Sequence, residues 1–235
     1  DAVGRRSDNP FRYIERVAQV ATAPKALTRQ EWTAVRRAAE QVAARDHGLA
    51  LALVSLMRYA GPRVVEVAAL QLPDLVLSPR RGLLIIRRGK GLKHREVPLI
   101  QGARDALHPY LAHRRTRADH WRQKAVVRNH PPPVWAQWSD GHLFLGQRGP
   151  LTARGMRDVV ADVGSAAKLA VPLSPHMLRH TFATALLDPA AYGIDRPPAP
   201  LPAVQALLGH SDLNATAVYT RPSQADLARM LGEPA

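Results

Sequence analysis

Apolar residues recur at helical spacing over most of the chain. Thr28 followed by Glu31 is typical of a capping box, and the apolar residues that follow are spaced as on one face of a helix: Trp32, Val35, Ala38, Ala39 and Val42. A second apolar helix is predicted over 47–60, with a third opening at Pro62 and carrying Arg63. Further helices are predicted over 103–124, 152–169, 176–187, 201–208, 211–219 and 223–231.

One part of the chain has a strand pattern instead. Short apolar runs over 83–88 and 96–100 flank a turn that contains Gly89 and Gly91, which predicts two antiparallel strands. Residues 129–140 include three consecutive prolines and are predicted to form a loop. The whole pattern predicts a mainly α protein with a small antiparallel sheet, an α+β fold. Residues 1–26 are predicted to be an arm or linker, and 27–235 to be one domain.

The charge balance indicates the kind of partner. Lys and Arg number 33 against 19 Asp and Glu, a formal charge of +14, which favours a polyanion such as duplex DNA. The chain has no cysteine, which excludes disulfides, thiolate metal sites and cysteine nucleophiles. No apolar run approaches the ~20 residues of a membrane span, and no signal peptide opens the sequence. We therefore expect a cytoplasmic, nucleoid-associated protein that does not bind membranes.

Two segments are suited to binding a phosphate. Ser174 is a good N-cap and is followed by proline, so His176 lies in the first turn of a helix and shares a face with Arg179. Free N–H groups, an imidazole and a guanidinium on one helix start favour an anion. Gly61-Pro62-Arg63 likewise puts Arg63 on an opening turn, with Glu66 three residues on to hold a neighbouring cation in place.

Three further side chains carry reactive groups. Gly209 is a favoured residue for a helix end, so His210 is displayed at a helix–helix corner. Nine residues later stands Tyr219, whose phenol is a candidate nucleophile. Lys90 lies in the predicted hairpin turn, where it can return a proton to a leaving oxygen. His180 faces away from His176 and Arg179 by helical geometry and is predicted to be a packing residue.

In this order, from Ala26 to Arg221, these motifs resemble the catalytic domain of the tyrosine recombinases, the phage integrase family. The resemblance implies that Tyr219 attacks a DNA phosphate, leaving a 3′-phosphotyrosine and a free 5′-hydroxyl. It implies that the phosphate is held by Arg63, Arg179 and His210. His176 would assist proton transfer or hydrogen-bond the phosphate, and Lys90, with Lys93 in reserve, would protonate the 5′-oxygen. Neither ATP nor a metal ion is implied.

The family resemblance also implies duplex DNA as partner and a homo-oligomer, a tetramer, on DNA. Phosphate-backbone contacts are expected from basic residues of the hairpin and of the helix after it: Lys93, His94, Arg95, Arg114, Arg115 and Arg117. In this family a helical DNA-binding domain usually precedes the catalytic domain, and residues 1–26 are expected to be the remnant of the linker to it. Segments 129–140 and 188–200 look like insertions. A type IB topoisomerase-like enzyme and an inactive DNA-binding homologue stay open as alternatives.

Overall fold

A computed structural model describes residues 25–78, 80–87, 94–127, 141–146 and 149–209, with side chains in the fourth helix followed as far as Arg114. The helices are α1 (Arg29–Asp46), α2 (Leu49–Ala60), α3 (Val64–Ala69), α4 (Gln101–Val127), α5 (Ala153–Ala166), α6 (Pro175–Leu187) and α7 (Leu201–Leu208). The strands are β1 (Leu75–Leu77), β2 (Gly82–Ile86), β3 (Arg95–Pro98), β4 (Leu145–Gly146) and β5 (Gly149–Pro150). Single 3-10 turns occur at Leu72–Asp74 and Ala190–Tyr192. The predicted fold class is confirmed.

The first two helices form the centre of the fold. The capping box at Thr28 is confirmed: its hydroxyl accepts from the Glu31 N–H at 3.1 Å, and the Glu31 carboxylate accepts from the Thr28 N–H at 2.8 Å. Helix α2 begins two residues later than predicted, because the Asp46 carboxylate caps it by accepting from the N–H groups of Gly48 and Ala50. Almost every residue of α2 is buried, since α1, α4 and α6 pack around it.

The third helix begins one residue after Arg63 and not at Pro62. Arg63 is the N-cap, with an extended backbone at φ −73° and ψ 148°. Its N–H donates to the Glu66 carboxylate at 2.7 Å, so the Glu66 side chain caps the first turn of the helix. The prediction that Arg63 lies inside the helix is therefore wrong, and its side chain projects from the helix start.

A three-stranded antiparallel sheet replaces the predicted two strands. Strand β2 pairs with both β1 and β3, in the register Leu84 opposite Leu75 on one side and Val97 on the other. Strand β1 escaped prediction because three residues are too few to establish an alternating pattern. The turn between β2 and β3 lies largely outside the described residues.

Local signals mark the helices that carry the site. Helix α6 begins at Pro175 with Ser174 as its N-cap, close to the predicted start, and α7 has the predicted bounds. Gly209 ends α7 in the left-handed conformation at φ 64°. The predicted loop 129–140, the helices over 211–219 and 223–231, and most of the arm over 1–26 lie outside the described residues. Within the described parts, no helix combines the length and apolarity needed to cross a bilayer.

Candidate active site

The starts of α3 and α6 meet at a cleft of about 380 Å³. The two helix starts contribute three charged or titratable side chains to the cleft wall, Arg63, His176 and Arg179, and α5 adds a fourth, Arg157. The structure thus brings together two motifs that the sequence separates by more than a hundred residues. Their amide groups and side chains make the cleft electropositive, as an anion site requires.

Arg179 is held in place by backbone carbonyls. Only 3% of the residue is exposed, and its guanidinium donates to the carbonyl of Gly61 and, at 2.7 Å, to that of Leu208. These two carbonyls belong to the ends of α2 and α7. The Arg179 side chain therefore fixes where both helices end relative to the cleft.

Glu66 is the carboxylate around which the neighbouring cations are arranged. Its side chain is 2% exposed and accepts from the Arg63 Nη1 at 3.1 Å and from the Arg95 Nη1 and Nη2 at 3.0 and 2.6 Å. Burial alone would raise the pKa of Glu66, but the hydrogen bonds from Arg95 and from the Arg63 N–H outweigh burial and lower it. Glu66 is therefore ionised and orients two arginines.

The role of Arg95 differs from the predicted phosphate contact. Its side chain is only 9% exposed, because both Nη atoms bond Glu66 and its Nε donates to the Leu207 carbonyl at 3.0 Å. The prediction of an exposed DNA contact is wrong for Arg95. Strand alternation carried a signal for this placement, since Val97, two residues on, is buried on the same side of β3.

Three arginines bind three successive carbonyls at the end of α7. Arg95 donates to Leu207, Arg179 to Leu208 and Arg63, at 3.5 Å, to Gly209. The last carbonyls of a helix lack partners within the helix and carry partial negative charge, so cations are favourable there. The segment that leads into His210 is thus anchored to two side chains that line the cleft, Arg63 and Arg179, and to Arg95 behind it.

The two histidines of α6 have different environments. His176 lies in the first turn and its side chain reaches solvent. The protein atoms around the ring still remove part of its hydration, which lowers its pKa, and the charges of Arg179 and Arg63 lower it further. His180 is buried, as predicted for a packing residue, and its pKa is lowered to about 4, by burial first and then by His176. The two rings meet edge to face with their centroids 6.1 Å apart, so the prediction that His180 faces away from His176 is wrong, because residues four positions apart share a helix face. Both imidazoles are therefore neutral at pH 7.

A sequence model of the phage integrase family matches residues 25–226, most of the chain. The chain belongs to the phage integrase family. Among curated members, the tyrosine recombinase XerC of Bacillus pumilus (strain SAFR-032) is 38% identical over 179 residues, which are 76% of this chain and 51% of the relative. That of Bacillus subtilis (strain 168) is 34% identical over 221 residues, or 92% and 63% of the two chains.

Solved structures of family members share the fold. The XerA recombinase matches with a TM-score of 0.65 and 25% identity, covering 90% of this chain and 65% of that one. The XerH site-specific recombinase bound to palindromic difH substrate, a post-cleavage complex, also matches with a TM-score of 0.65 and 25% identity, covering 94% and 57%. The chain spans between 51% and 65% of the length of these four relatives.

The other predicted DNA contacts of this phage integrase family member divide into three groups. Arg114 is 4% exposed and donates to the carbonyls of His142 and Leu143, so the prediction of a phosphate contact is wrong for it. Its neighbour Tyr110, one turn earlier on the same buried face of α4, donates its hydroxyl to the same Leu143 carbonyl. His94 is exposed, with its Nε2 3.5 Å from the Glu96 carboxylate. The side chains of Arg115 and Arg117 lie outside the described part.

Four predicted residues of the family motif also fall outside the described residues: Lys90, Lys93, His210 and Tyr219. Their roles stay predictions. Two described residues lie close in sequence to these undescribed ones and contact residues at or beside the cleft. Arg95 follows Lys90 by five residues and bonds Glu66. Gly209 immediately precedes His210 and accepts from Arg63.

Proposed function

We propose that the protein is a tyrosine-type site-specific DNA recombinase, and that residues 27–235 form its catalytic domain. The observation that carries the proposal is the convergence of Arg63, His176 and Arg179 on one electropositive cleft. Two helix starts and two guanidinium groups in one place suit a phosphodiester. Membership of the phage integrase family supplies the reaction type.

The proposed reaction begins with attack by the Tyr219 oxygen on the scissile phosphorus. The bond from phosphorus to the 5′-oxygen breaks, and a 3′-phosphotyrosine forms. His176 takes part in proton transfer from the phenol, and its lowered pKa keeps the imidazole neutral and able to accept a proton. Lys90 delivers a proton to the leaving 5′-oxygen, so that a free hydroxyl results.

Charge on the non-bridging oxygens is stabilised by Arg63, Arg179 and His210. The buried Glu66 carboxylate orients Arg63 from behind. Rejoining is the reverse reaction with a 5′-hydroxyl as nucleophile. The phosphotyrosine retains the energy of the phosphodiester, so the proposed chemistry proceeds without ATP or a metal ion.

The proposed partner is duplex DNA that carries a specific recombination site. The formal charge of +14 supports a polyanionic partner. The XerH recombinase, a member of the same family, is bound to difH substrate in its complex. We further propose that several copies of the chain, four in the family pattern, assemble on DNA, and that the protein is cytoplasmic and associated with the nucleoid.

Covalent capture tests the proposal directly. Wild type and Tyr219→Phe are mixed with fragmented genomic DNA and quenched with SDS, and any DNA still attached to protein is sequenced. Discrete sites are expected with wild type only, because the variant lacks the one oxygen that bonds phosphorus, and DNA binding by Tyr219→Phe should stay close to wild type. An SDS-resistant adduct with Tyr219→Phe would reject Tyr219 as the nucleophile.

Strand exchange separates recombination from simple relaxation. Two duplexes that carry the captured site and different labels are incubated with wild type, and products that join the two labels are expected. If every strand is rejoined to its original partner, the protein is a topoisomerase-like enzyme and not a recombinase.

A further inference from the structure

Arg95 lies behind the cleft and belongs to no part of the proposed phosphate site. We propose that Arg95 is a positioning residue that sets the place of His210, by clamping the end of α7 onto Glu66. The inference rests on the proposed function, because it concerns how one of the proposed catalytic residues is placed.

The geometry of Arg95 links three elements through one planar group. Its two Nη atoms form a fork on the Glu66 carboxylate of α3, at 3.0 and 2.6 Å, while its Nε donates to the Leu207 carbonyl of α7 at 3.0 Å. The residue itself belongs to β3. A guanidinium has fixed donor directions, so satisfying all three bonds at once defines the distance between α7 and α3.

The anchor at the other end of this link is rigid. Glu66 is almost fully buried, and its carboxylate also accepts from the Arg63 N–H that opens α3. A charge-assisted fork on a buried carboxylate is stronger than a neutral hydrogen bond. Arg95 therefore transmits the position of α3 to the last turn of α7.

Contact with Gly209 carries the constraint to the residue before His210. Gly209 has φ 64°, and a Cβ added there would lie 2.8 Å from Nη1 and 3.1 Å from Cζ of Arg95. The guanidinium is thus in close contact with the Gly209 backbone, in a space that only glycine leaves free. His210 is the next residue, so the proposal extends this constraint on Gly209 to the placement of His210.

The test is a double-mutant cycle with a matched arginine as control. Arg95→Lys keeps a positive charge for Glu66 but loses the fork and the bond to Leu207. Arg104→Lys is the control, because Arg104 also donates a guanidinium hydrogen bond to a carbonyl beside β3, that of Leu99 at 2.9 Å. Each variant is made in wild type and in His210→Ala, and covalent cleavage of the captured DNA site is timed.

We expect Arg95→Lys to slow cleavage by about 10- to 100-fold in wild type, as a small misplacement of a reacting group does. In His210→Ala the same change should cost less than about twofold, because the group that Arg95 places is already gone. Arg104→Lys should have the same effect in both backgrounds, within about twofold. Equal slowing by Arg95→Lys in both backgrounds, an unslowed Arg95→Lys, or an unslowed His210→Ala would overturn the proposal.

Hydrogen exchange of the free protein gives a second readout that needs no activity. Amide exchange in the peptide 201–209 should be faster in Arg95→Lys than in wild type and unchanged in Arg104→Lys. Unchanged exchange in Arg95→Lys would overturn the clamp. Wild type that forms no covalent adduct would instead reject the proposed function, while exchange would still decide whether Arg95 holds α7.

Discussion

Two buried arginines, Arg179 and Arg58, are shielded from solvent to nearly the same degree but have different partners. Arg179 is 3% exposed and donates to the carbonyls of Gly61 and Leu208 beside the cleft. Arg58 is 4% exposed, and its guanidinium carbon lies 5.7, 5.4 and 5.0 Å from the ring centroids of Trp32, Tyr59 and Tyr192. Burial alone therefore does not distinguish an arginine of the proposed phosphate site from one that stabilises the fold.

The aromatic cage of Trp32, Tyr59 and Tyr192 explains part of the 188–200 segment. The Tyr192 hydroxyl donates to the Leu27 carbonyl at 2.8 Å, while its ring covers Arg58. The Trp32 indole N–H donates to the Tyr59 hydroxyl at 3.2 Å, which closes the cage from α1. Cation–π contacts of this kind stabilise a desolvated guanidinium by about 2 kcal/mol. The segment that looked like an insertion thus helps to hold α1 and α2 together.

The arginines around the cleft are arranged for a different purpose. Arg63 and Arg179 line an open cleft, and Arg63 and Arg95 share the buried Glu66 carboxylate behind it. The cleft therefore keeps a positive potential that an incoming phosphate can use, whereas the charge of Arg58 is enclosed by rings. This difference predicts that substitutions in the two regions separate catalysis from stability.

The largest effect is expected from Arg179→Ala. Loss of one preorganised donor at a developing oxyanion costs about 2.7–4 kcal/mol, so covalent cleavage should slow by about 10²- to 10³-fold. Single-turnover formation of the SDS-resistant adduct, at saturating protein, measures the change. A wild-type rate in Arg179→Ala would mean that the phosphate is bound elsewhere, and the contrast with Arg58 would disappear.

Arg58→Ala should show the opposite profile. Removing the side chain leaves a cavity among three rings and eliminates the cation–π contacts, so the free energy of unfolding should fall by about 2–4 kcal/mol. Cleavage by the protein that remains folded should change by less than about twofold. Denaturant unfolding and adduct formation, both below the melting temperature, measure the two quantities.

Arg36→Ala is the matched control for Arg58→Ala, since Arg36 makes an exposed ion pair with Glu40 on α1. Its loss should cost less than about 1 kcal/mol. If Arg58→Ala instead loses cleavage at unchanged stability, the guanidinium in the cage contacts DNA, and the assignment of the cage to the fold is wrong.

The sequence predicted features that depend on residues three or four positions apart. The capping box at Thr28, the N-cap Ser174 and the end of α7 at Gly209 are of this kind. The observed start of a helix differs from the predicted one where a side chain caps a different residue, as Glu66 does by accepting from the Arg63 N–H. For these elements, local hydrogen bonding contained most of the information.

Partners distant in sequence were not predictable in this way. Arg95 bonds a carboxylate 29 residues away and a carbonyl 112 residues away, and Arg114 bonds carbonyls 28 and 29 residues away. A basic residue on a strand or helix is usually exposed, so the sequence predicts a phosphate contact for both. For the cleft, helical spacing predicted that His176 and Arg179 share a face, whereas the expectation that Arg63 joins them came from the order of motifs in the family.

Helix α6 connects the two regions and carries the last test. Arg179 lines the cleft, and His180, the next residue, is buried. The Thr181 hydroxyl accepts from the Leu27 N–H at 2.9 Å, next to the carbonyl that Tyr192 of the cage bonds. The folded-state pKa of His180 is about 4, below its ordinary value of 6.5. As the pH falls, His180 is therefore protonated in the unfolded chain before it is protonated in the folded one. Stability from neutral His180 is therefore complete above pH 6.5 and is lost as the pH falls towards 4.

His180→Leu removes this titration and keeps a buried apolar side chain. Between pH 7 and pH 4.5, the free energy of unfolding of wild type should fall by on the order of 2 kcal/mol more than that of the variant. Denaturant unfolding at both pH values measures the difference, and His176→Leu, an exposed neighbour, is the control for a change of charge on α6. Equal losses in wild type and His180→Leu would show that the folded protein accepts a proton on His180 without cost. Its burial would then resemble that of Arg58, where surrounding groups stabilise a charge, and α6 would not separate a charged cleft from a neutral interior.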